Sequence, residues 1–406
     1  MKSDLRWLLP DGVEELLPPA AARLESLRRD MLDLLGSWGY ELVMPPMLEY
    51  IESLLTGFGS DLDLQTLKVI DQLTGRLMGL RADVTSQAAR IDAHSLRQDG
   101  VVRLCYAETV LHSRPSGPLG SRAPLVVGAE LFGSVAPAAD AEIICLMADA
   151  LRAAGATETR IELGHVGIFR ELAAAAALDE ATTARLFAAV QMKSAPDVKD
   201  CLAGVTAPGW LKDALGALPL LMGDEQMLHR ARALFAAGPR SLCAAIDYLT
   251  EVAALVRGQR PDIRLQFDLA ELRGYGYHTG VVFAAYIPAY GRAVARGGRY
   301  DGIGAAFGRS RPATGFDADL KLLAALPTDQ AQTAVITAPA PPADAIQASA
   351  LVRKVDELRA QGRRVVWTLT PAADTAAPDR EHPALVWREL QWTVMPPAFE
   401  GTDSHG

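Results

Sequence analysis

Four short stretches of this 406-residue chain gather side chains that recognise charge. Leu80-Arg81-Ala82-Asp83-Val84-Thr85 sets a carboxylate two residues from a hydroxyl. An ammonium has three donors and no acceptor, so such a pair suits it. The same two residues also suit a helix start, with Asp83 or Thr85 as N-cap. A second stretch, Arg122-Ala123-Pro124-Leu125-Val126-Val127-Gly128-Ala129-Glu130, ends on a carboxylate. The third, Glu271-Leu272-Arg273-Gly274-Tyr275-Gly276-Tyr277-His278-Thr279-Gly280, carries a guanidinium, two phenols and an imidazole. Arg273 can grip a carboxylate with both prongs of its fork. Glu130, Tyr277 and His278 can hydrogen-bond a polar ring. In the fourth, Ala295-Arg296-Gly297-Gly298-Arg299-Tyr300-Asp301-Gly302, Tyr300 can close a pocket wall. The bland alternative gives Gly297, Gly298 and Gly302 to turns and makes Arg299 and Asp301 a surface ion pair. A short glycine-rich run is nonspecific by itself.

Length and composition bound what such groups can serve. A chain of 406 residues holds two or three domains. Half of its residues are hydrophobic, enough for a large core. The net charge of −9 and the pI near 5.4 do not favour wrapping a polyanion. The four cysteines, Cys105, Cys145, Cys201 and Cys243, form no CxxC pair, so neither a zinc site nor a disulfide framework is indicated. Free thiols fit a reducing cytoplasm. Met1–Pro10 has no long apolar run or cleavage site, and no stretch is long enough to span a membrane. The histidines lack metal-ligand spacing, His165 reads as a structural turn residue, and no phosphate-cradling P-loop occurs. No cofactor is expected.

Periodicity supplies the elements that must position these groups. After Pro18-Pro19, Leu24, Leu27, Met31, Leu34 and Leu35 recur at helical spacing up to Gly36 and Gly39. Residues 40–45 read as a strand halted by prolines. Two apolar runs around Gly75 read as a hairpin. A helix is expected over 85–94, strands over 101–111 and 123–134 about a Gly/Pro/Ser loop at 115–121, a helix over 140–154 and a strand over 159–163. Successive strands suggest antiparallel pairing. From 166 to about 259 the pattern is helical and rich in Ala and Leu. Strands return at 263–268, 281–287 and 291–295, then a glycine-rich turn and a helix over 317–325. Beyond Ala338-Pro339-Ala340-Pro341-Pro342, a loop at a domain edge, strand 333–337, helix 344–361 and strand 363–369 make a βαβ-like unit, with a further strand within 385–395. The polar tail after Phe399 is expected to fray.

In this order and spacing the motifs resemble the class II aminoacyl-tRNA synthetase core, specifically that of the histidine enzyme, over residues 1–330. The resemblance implies a first-motif helix and strand, residues 20–46, at a homodimer interface. It implies that Asp83 and Thr85 receive an α-ammonium, Asp83 standing where the family has Glu. It implies that Arg273 meets the α-carboxylate, while Glu130, Tyr277, His278 and Tyr300 surround an imidazole; Gly276 replaces an Asp and His278 a Tyr. The nucleotide side departs. In Val110-Leu111-His112-Ser113-Arg114-Pro115, Leu111 replaces the arginine for the α-phosphate and Ser113 the acid beside it, and Val126 replaces a glutamine. In the third motif, Asp319-Leu320-Lys321-Leu322 puts Leu322 where an arginine holds the ATP tail. Lys321 is one residue early, about 100° around a helix. Losing one such stabiliser costs on the order of 10²–10³ in rate.

Those departures match the synthetase-like regulatory subunits of ATP phosphoribosyltransferase. The expected fold class is α+β: a class II synthetase-like antiparallel sheet flanked by helices, with a helical insertion and a small α/β C-terminal segment. The expected divisions are 1–165 and 261–330 for the core, 166–260 for the insertion and 331–406 for the C-terminal region. The resemblance implies a non-catalytic subunit that binds L-histidine and the short catalytic subunit in a hetero-oligomer built on a homodimer. It implies support of the transferase, feedback inhibition, and no work on tRNA or at a membrane. A divergent histidine–tRNA ligase and a histidine-binding module with another partner remain the alternatives.

Overall fold

The computed structural model describes residues 7–55, 60–115, 117, 120–327, 334–369 and 382–397. The tail after Phe399 and parts of the 115–121 loop lie outside the described residues. The chain divides into two compact units, Met1–Pro327 and Thr328–Gly406.

The first unit is built on a nine-stranded sheet. Its strands are β1 (Glu41–Leu42), β5 (Val102–Thr109), β6 (Leu125–Phe132), β7 (Arg160–His165), β8 (Met222–Gly223), β9 (Arg264–Asp268), β10 (Val281–Tyr286), β11 (Ala295–Arg299) and β12 (Ala313–Asp319). The spatial order is β1-β5-β6-β12-β11-β10-β7-β9-β8. Pairing is antiparallel except for β1 with β5 and β7 with β9. A small antiparallel sheet joins β2 (Leu48–Tyr50), β4 (Leu77–Leu80) and β3 (Leu67–Ile70). The β3–β4 hairpin turns near Gly75, whose φ of +71° explains a glycine there.

Helices cover one face of the large sheet. The apolar stripe of α1 (Ala20–Ser37) buries Leu24, Leu27, Met31 and Leu35. Next to it, α5 (Pro137–Ala153) is buried along most of its length, between α1, the sheet and α11 (Arg240–Gln259). The short helices α2 (Ile51–Leu54), α3 (Ser60–Gln65) and α4 (Thr85–Arg90) flank the small sheet and the cavity, and a π-helical turn, Ile91–Leu96, extends α4. The helical stretch comprises α6 (Val166–Ala175), α7 (Glu180–Gln191), α8 (Ala195–Ala203), α9 (Gly209–Ala217), α10 (Glu225–Phe235) and α11. Its apolar faces join the same core as the sheet.

Strand periodicity decides which side chains face that core. On β6, Val127, Ala129 and Leu131 join it, so Val126, Gly128 and Glu130 point to the opposite face. On β12, Phe316 and Ala318 join it, leaving Gly315, Asp317 and Asp319 on the other side. The second unit is a four-stranded sheet in the order β14 (Val365–Trp367), β13 (Ile336–Ala338), β15 (Ala384–Arg388), β16 (Gln391–Met395). Its helix α13 (Ala345–Ala360) links the parallel pair β13 and β14.

Three sequence expectations change. The strand expected at 291–295 lies instead at Ala295–Arg299, so Gly297 and Gly298 are strand residues, not a turn. They are glycines because there is no room for more. A Cβ at Gly297 would lie 2.1 Å from the Gly315 carbonyl oxygen, and one at Gly298 2.8 Å from the His278 ring. Asp317 belongs to β12, and the closing helix α12 (Leu320–Ala324) begins only after Asp319. Arg299 and Asp301 are not a surface pair: Arg299 is buried and bonds Asp140 at 3.0 Å, with Asp301 at 3.4 Å.

Candidate functional site

On the face of the large sheet opposite α1 and α5 lies a cavity of about 760 Å³. Asp83, Thr85, Glu130, Arg273, Tyr277, His278 and Tyr300 all line it. They come from four separated parts of the chain, and the fold brings them together. Glu130 on β6 sits opposite Gly315 on β12, and a Cβ at Gly315 would lie 1.6 Å from Glu130 Oε2. The glycine therefore makes room for the acid.

Glu130 is the buried centre of this end. It accepts a hydrogen bond from the Tyr300 hydroxyl at 2.5 Å and another from the Tyr106 hydroxyl at 3.1 Å. Asp83 accepts from the backbone N–H of Thr85 at 3.0 Å and from its hydroxyl at 3.1 Å. Neither Asp83 nor Thr85 is the N-cap of α4: Val84 holds that position without a side-chain cap, and Asp83, one residue earlier, lines the cavity while bonding the first helical residue. Burial raises the pKa of Glu130 to about 8, Tyr300 and Tyr106 opposing and Asp83 adding to the rise. Burial raises Asp317 to about 7, with Asp83 adding and Arg296 opposing. Asp83 itself is pushed up by burial against its hydrogen bonds from Thr85. Three carboxyls held reluctant to ionise make a receiver for a cation, which relieves the cost of ionising them.

The rim differs from the centre. Arg273 is half-exposed, donates to the Tyr286 hydroxyl at 3.3 Å and lies 3.5 Å from Glu271. An incoming carboxylate could bond its fork only in competition with these two partners. Tyr277 and His278 stand with ring centroids 4.1 Å apart. His278 is buried, its Nδ1 is 3.3 Å from the Arg299 carbonyl oxygen, and burial lowers its pKa to about 4. It is therefore a neutral wall of the cavity.

At the other end Val110, Val126 and Leu322 line the cavity together with His112, Arg292 and Asp319. Arg296 also lines it, beside Asp317, as Arg292 does beside Asp319, while two further cations nearby hold the protein together. Arg122 donates to the His112 carbonyl at 3.0 Å and to the Asp11 carbonyl at 3.3 Å, and Lys321 pairs with Glu14 at 3.1 Å. Asp319 caps α12, accepting from the N–H groups of Lys321 and Leu322 at 3.0 and 3.4 Å.

Sequence reasoning missed several contributors. Tyr106 was not singled out, yet Gly128 marks it: a Cβ there would lie 2.4 Å from the Tyr106 ring. Asp317 is a cavity acid on β12, at a position where the sequence pattern opens a helix. Phe187 and Gln191 of α7 also line the cavity. No sequence signal ties them to it, since helical periodicity says which face is buried but not against what.

Sheet topology, the glycine-lined cavity and the motif order together define a class II histidyl-tRNA synthetase-like protein. A family model described as histidyl-tRNA synthetase matches residues 12–323. The chain is 51% identical over 397 residues to an ATP phosphoribosyltransferase regulatory subunit of Thioalkalivibrio sulfidiphilus (strain HL-EbGR7), covering 97% of this chain and 99% of that one. It is 52% identical over 366 residues to a protein of the same name from Alkalilimnicola ehrlichii, covering 90% and 91%. This chain belongs to the family of ATP phosphoribosyltransferase regulatory subunits. Among solved structures, one from Bacillus halodurans C, described as an ATP phosphoribosyltransferase regulatory subunit/histidyl-tRNA synthetase, superposes with a TM-score of 0.79 at 27% identity, covering 92% of this chain and 96% of that one. A histidyl-tRNA synthetase from Nostoc sp. PCC 7120 shares the fold, with a TM-score of 0.74 at 18% identity, over 90% and 86% of the two chains. Among the described residues no helix is long and apolar enough to cross a membrane.

Proposed function

We propose that this chain is a cytoplasmic, non-catalytic histidine sensor. It binds the short catalytic subunit of ATP phosphoribosyltransferase, supports its activity and transmits feedback inhibition by L-histidine. Asp83 and Thr85 receive the α-ammonium, Arg273 the α-carboxylate, and Glu130, Tyr277, His278 and Tyr300 enclose the imidazole. No ligase chemistry, tRNA or cofactor enters this role. The assembly is a hetero-oligomer on a homodimer formed through residues 20–46, and a symmetric dimer presents every outer surface twice to the catalytic subunits.

One observation carries the reading. The cavity keeps a dense polar end around Glu130, while at its other end Val126 and Leu322 stand where an ATP-using relative needs polar or cationic groups. A leucine cannot offset charge on a phosphoryl group. Regulation then requires that histidine bind one quaternary state better than another, by about 1–3 kcal/mol in typical couplings. The test is transferase rate against histidine concentration in complexes carrying wild-type or Arg273→Ala chains. The variant should blunt inhibition more than basal activity. Identical inhibition curves would place histidine action in the catalytic subunit and leave this chain a scaffold or activator.

A further inference from the structure

The turn that supplies Tyr277 and His278 is held from outside the cavity by helix α6. Arg170 Nη2 donates to the Tyr275 carbonyl at 3.0 Å and to the His278 carbonyl at 3.1 Å. Its guanidinium also lies 4.8 Å from the centre of the Tyr275 ring. That ring packs on Phe169 at 5.6 Å and on Phe187 at 5.2 Å, and Phe187 itself lines the cavity. The turn is a tight unit. The N–H groups of Tyr277 and His278 both bond the Gly274 carbonyl, at 2.9 and 2.8 Å. Gly274 has a φ of +68°, and a Cβ there would lie 2.4 Å from the His278 ring. Its rings therefore wall the cavity while two of its carbonyls are taken up by α6.

We propose that Arg170 is a positioning residue of the ligand site, fixing the 274–278 turn in the pose where Tyr277 and His278 wall the cavity and thereby tying the helical stretch to ligand affinity. This rests on the reading that the cavity takes histidine. A guanidinium suits the task because one Nη2 can donate to both carbonyls while its planar group lies over the Tyr275 ring, a geometry an ammonium does not pre-organise. Without Arg170 the two carbonyls turn to water and the turn samples other poses. Apparent affinity falls in proportion to the fraction that keeps the competent pose, so a tenfold loss of that fraction weakens binding about tenfold.

The experiment uses the full chain as wild type, Arg170→Ala, Arg170→Lys and Arg232→Ala, the last removing an exposed pair with Asp247 elsewhere in the helical stretch. Hydrogen exchange of the Tyr277 and His278 amides is measured without ligand, and L-histidine binding by calorimetry. Arg170→Ala should speed exchange at both amides and weaken histidine about tenfold, with a melting temperature close to wild type. Arg170→Lys should fall between, and Arg232→Ala should match wild type. Should Arg170→Ala fail to fold, Arg170→Lys carries the test in the same terms. Wild-type exchange and affinity in the Arg170 variant, or equal weakening in Arg232→Ala, overturns the inference. If the wild-type chain binds no histidine, the parent reading fails, and exchange alone still decides: faster exchange in Arg170→Ala supports the positioning role, unchanged exchange overturns it.

Discussion

The two ends of the cavity were built from one fold and have been put to different uses. At one end Glu130, Tyr106 and Tyr300 form a buried, mutually hydrogen-bonded polar cluster, which fixes the carboxylate at the cavity wall. At the other, Val126 and Leu322 line the wall beside Asp319 and Arg292, and the nearby Arg122 and Lys321 are tied to backbone carbonyls and to Glu14. The contrast teaches that a shared fold does not by itself carry a shared activity: on the proposed reading, a few side chains at one end would decide whether a bound amino acid can be activated.

The largest expected effect lies at the apolar end. By the family resemblance Leu322, which lines the cavity, and Leu111, which does not, stand where two charge stabilisers are expected, each worth on the order of 10²–10³ in rate. Histidine-dependent pyrophosphate exchange should therefore fall at least about 10⁴-fold below that of an active ligase. Clear turnover would erase the contrast between the ends.

The polar end is broken most directly by filling its space. Gly315→Ala would set a Cβ 1.6 Å from Glu130 Oε2 and 2.7 Å from the Ala129 carbonyl oxygen. We expect a stability loss of about 1–3 kcal/mol and loss of histidine binding. Gly302→Ala is the control, because nothing lies within 4 Å of the added carbon. Thermal denaturation of both variants checks this, and equal stabilities would mean the Glu130 cluster yields without strain.

How much of this was legible in the sequence follows from the kind of signal each part leaves. Helix α1 was readable because Leu24, Leu27, Met31 and Leu35 mark one face. The β3–β4 hairpin and the C-terminal strand–helix–strand were readable for the same reason, and the expected last strand proved to be the hairpin β15–β16. The seven candidate residues were found through motif order, and they do line one cavity. Strands β11 and β12 were misread because close packing demands glycine there, and glycine in sequence signals a turn. The partners of the site, Tyr106, Phe187 and Arg170, stayed hidden because their roles depend on which elements meet.

A smaller effect is expected at the rim of the polar end. Arg273→Ala should weaken histidine binding by about 1.5 kcal/mol, the low end for a charged hydrogen bond, because the side chain is half-exposed. Calorimetry reads this as roughly a tenfold rise in Kd. An unchanged Kd would move the ligand away from this rim.

The smallest effect is on pH dependence. The folded-state pKa values of Glu130, about 8, and Asp317, about 7, lie above their ordinary 4.5 and 3.8. The folded chain thus holds protons that the unfolded chain has released, and stability falls as pH rises through this window. The Tm of the ligand-free protein should decline between about pH 5 and 8. Glu130→Gln should flatten the decline, and saturating histidine should do the same by bringing a cation to the carboxylates. A slope identical in wild type and Glu130→Gln would remove Glu130 from the titrating groups.

The most direct test of the contrast between the two ends is one pair of calorimetric titrations on the full chain. L-Histidine is titrated first, then ATP with magnesium into the histidine-saturated protein. We predict a saturable histidine isotherm, followed by no ATP heat above dilution. No histidine binding, or ATP binding that tightens with histidine present, would contradict the account.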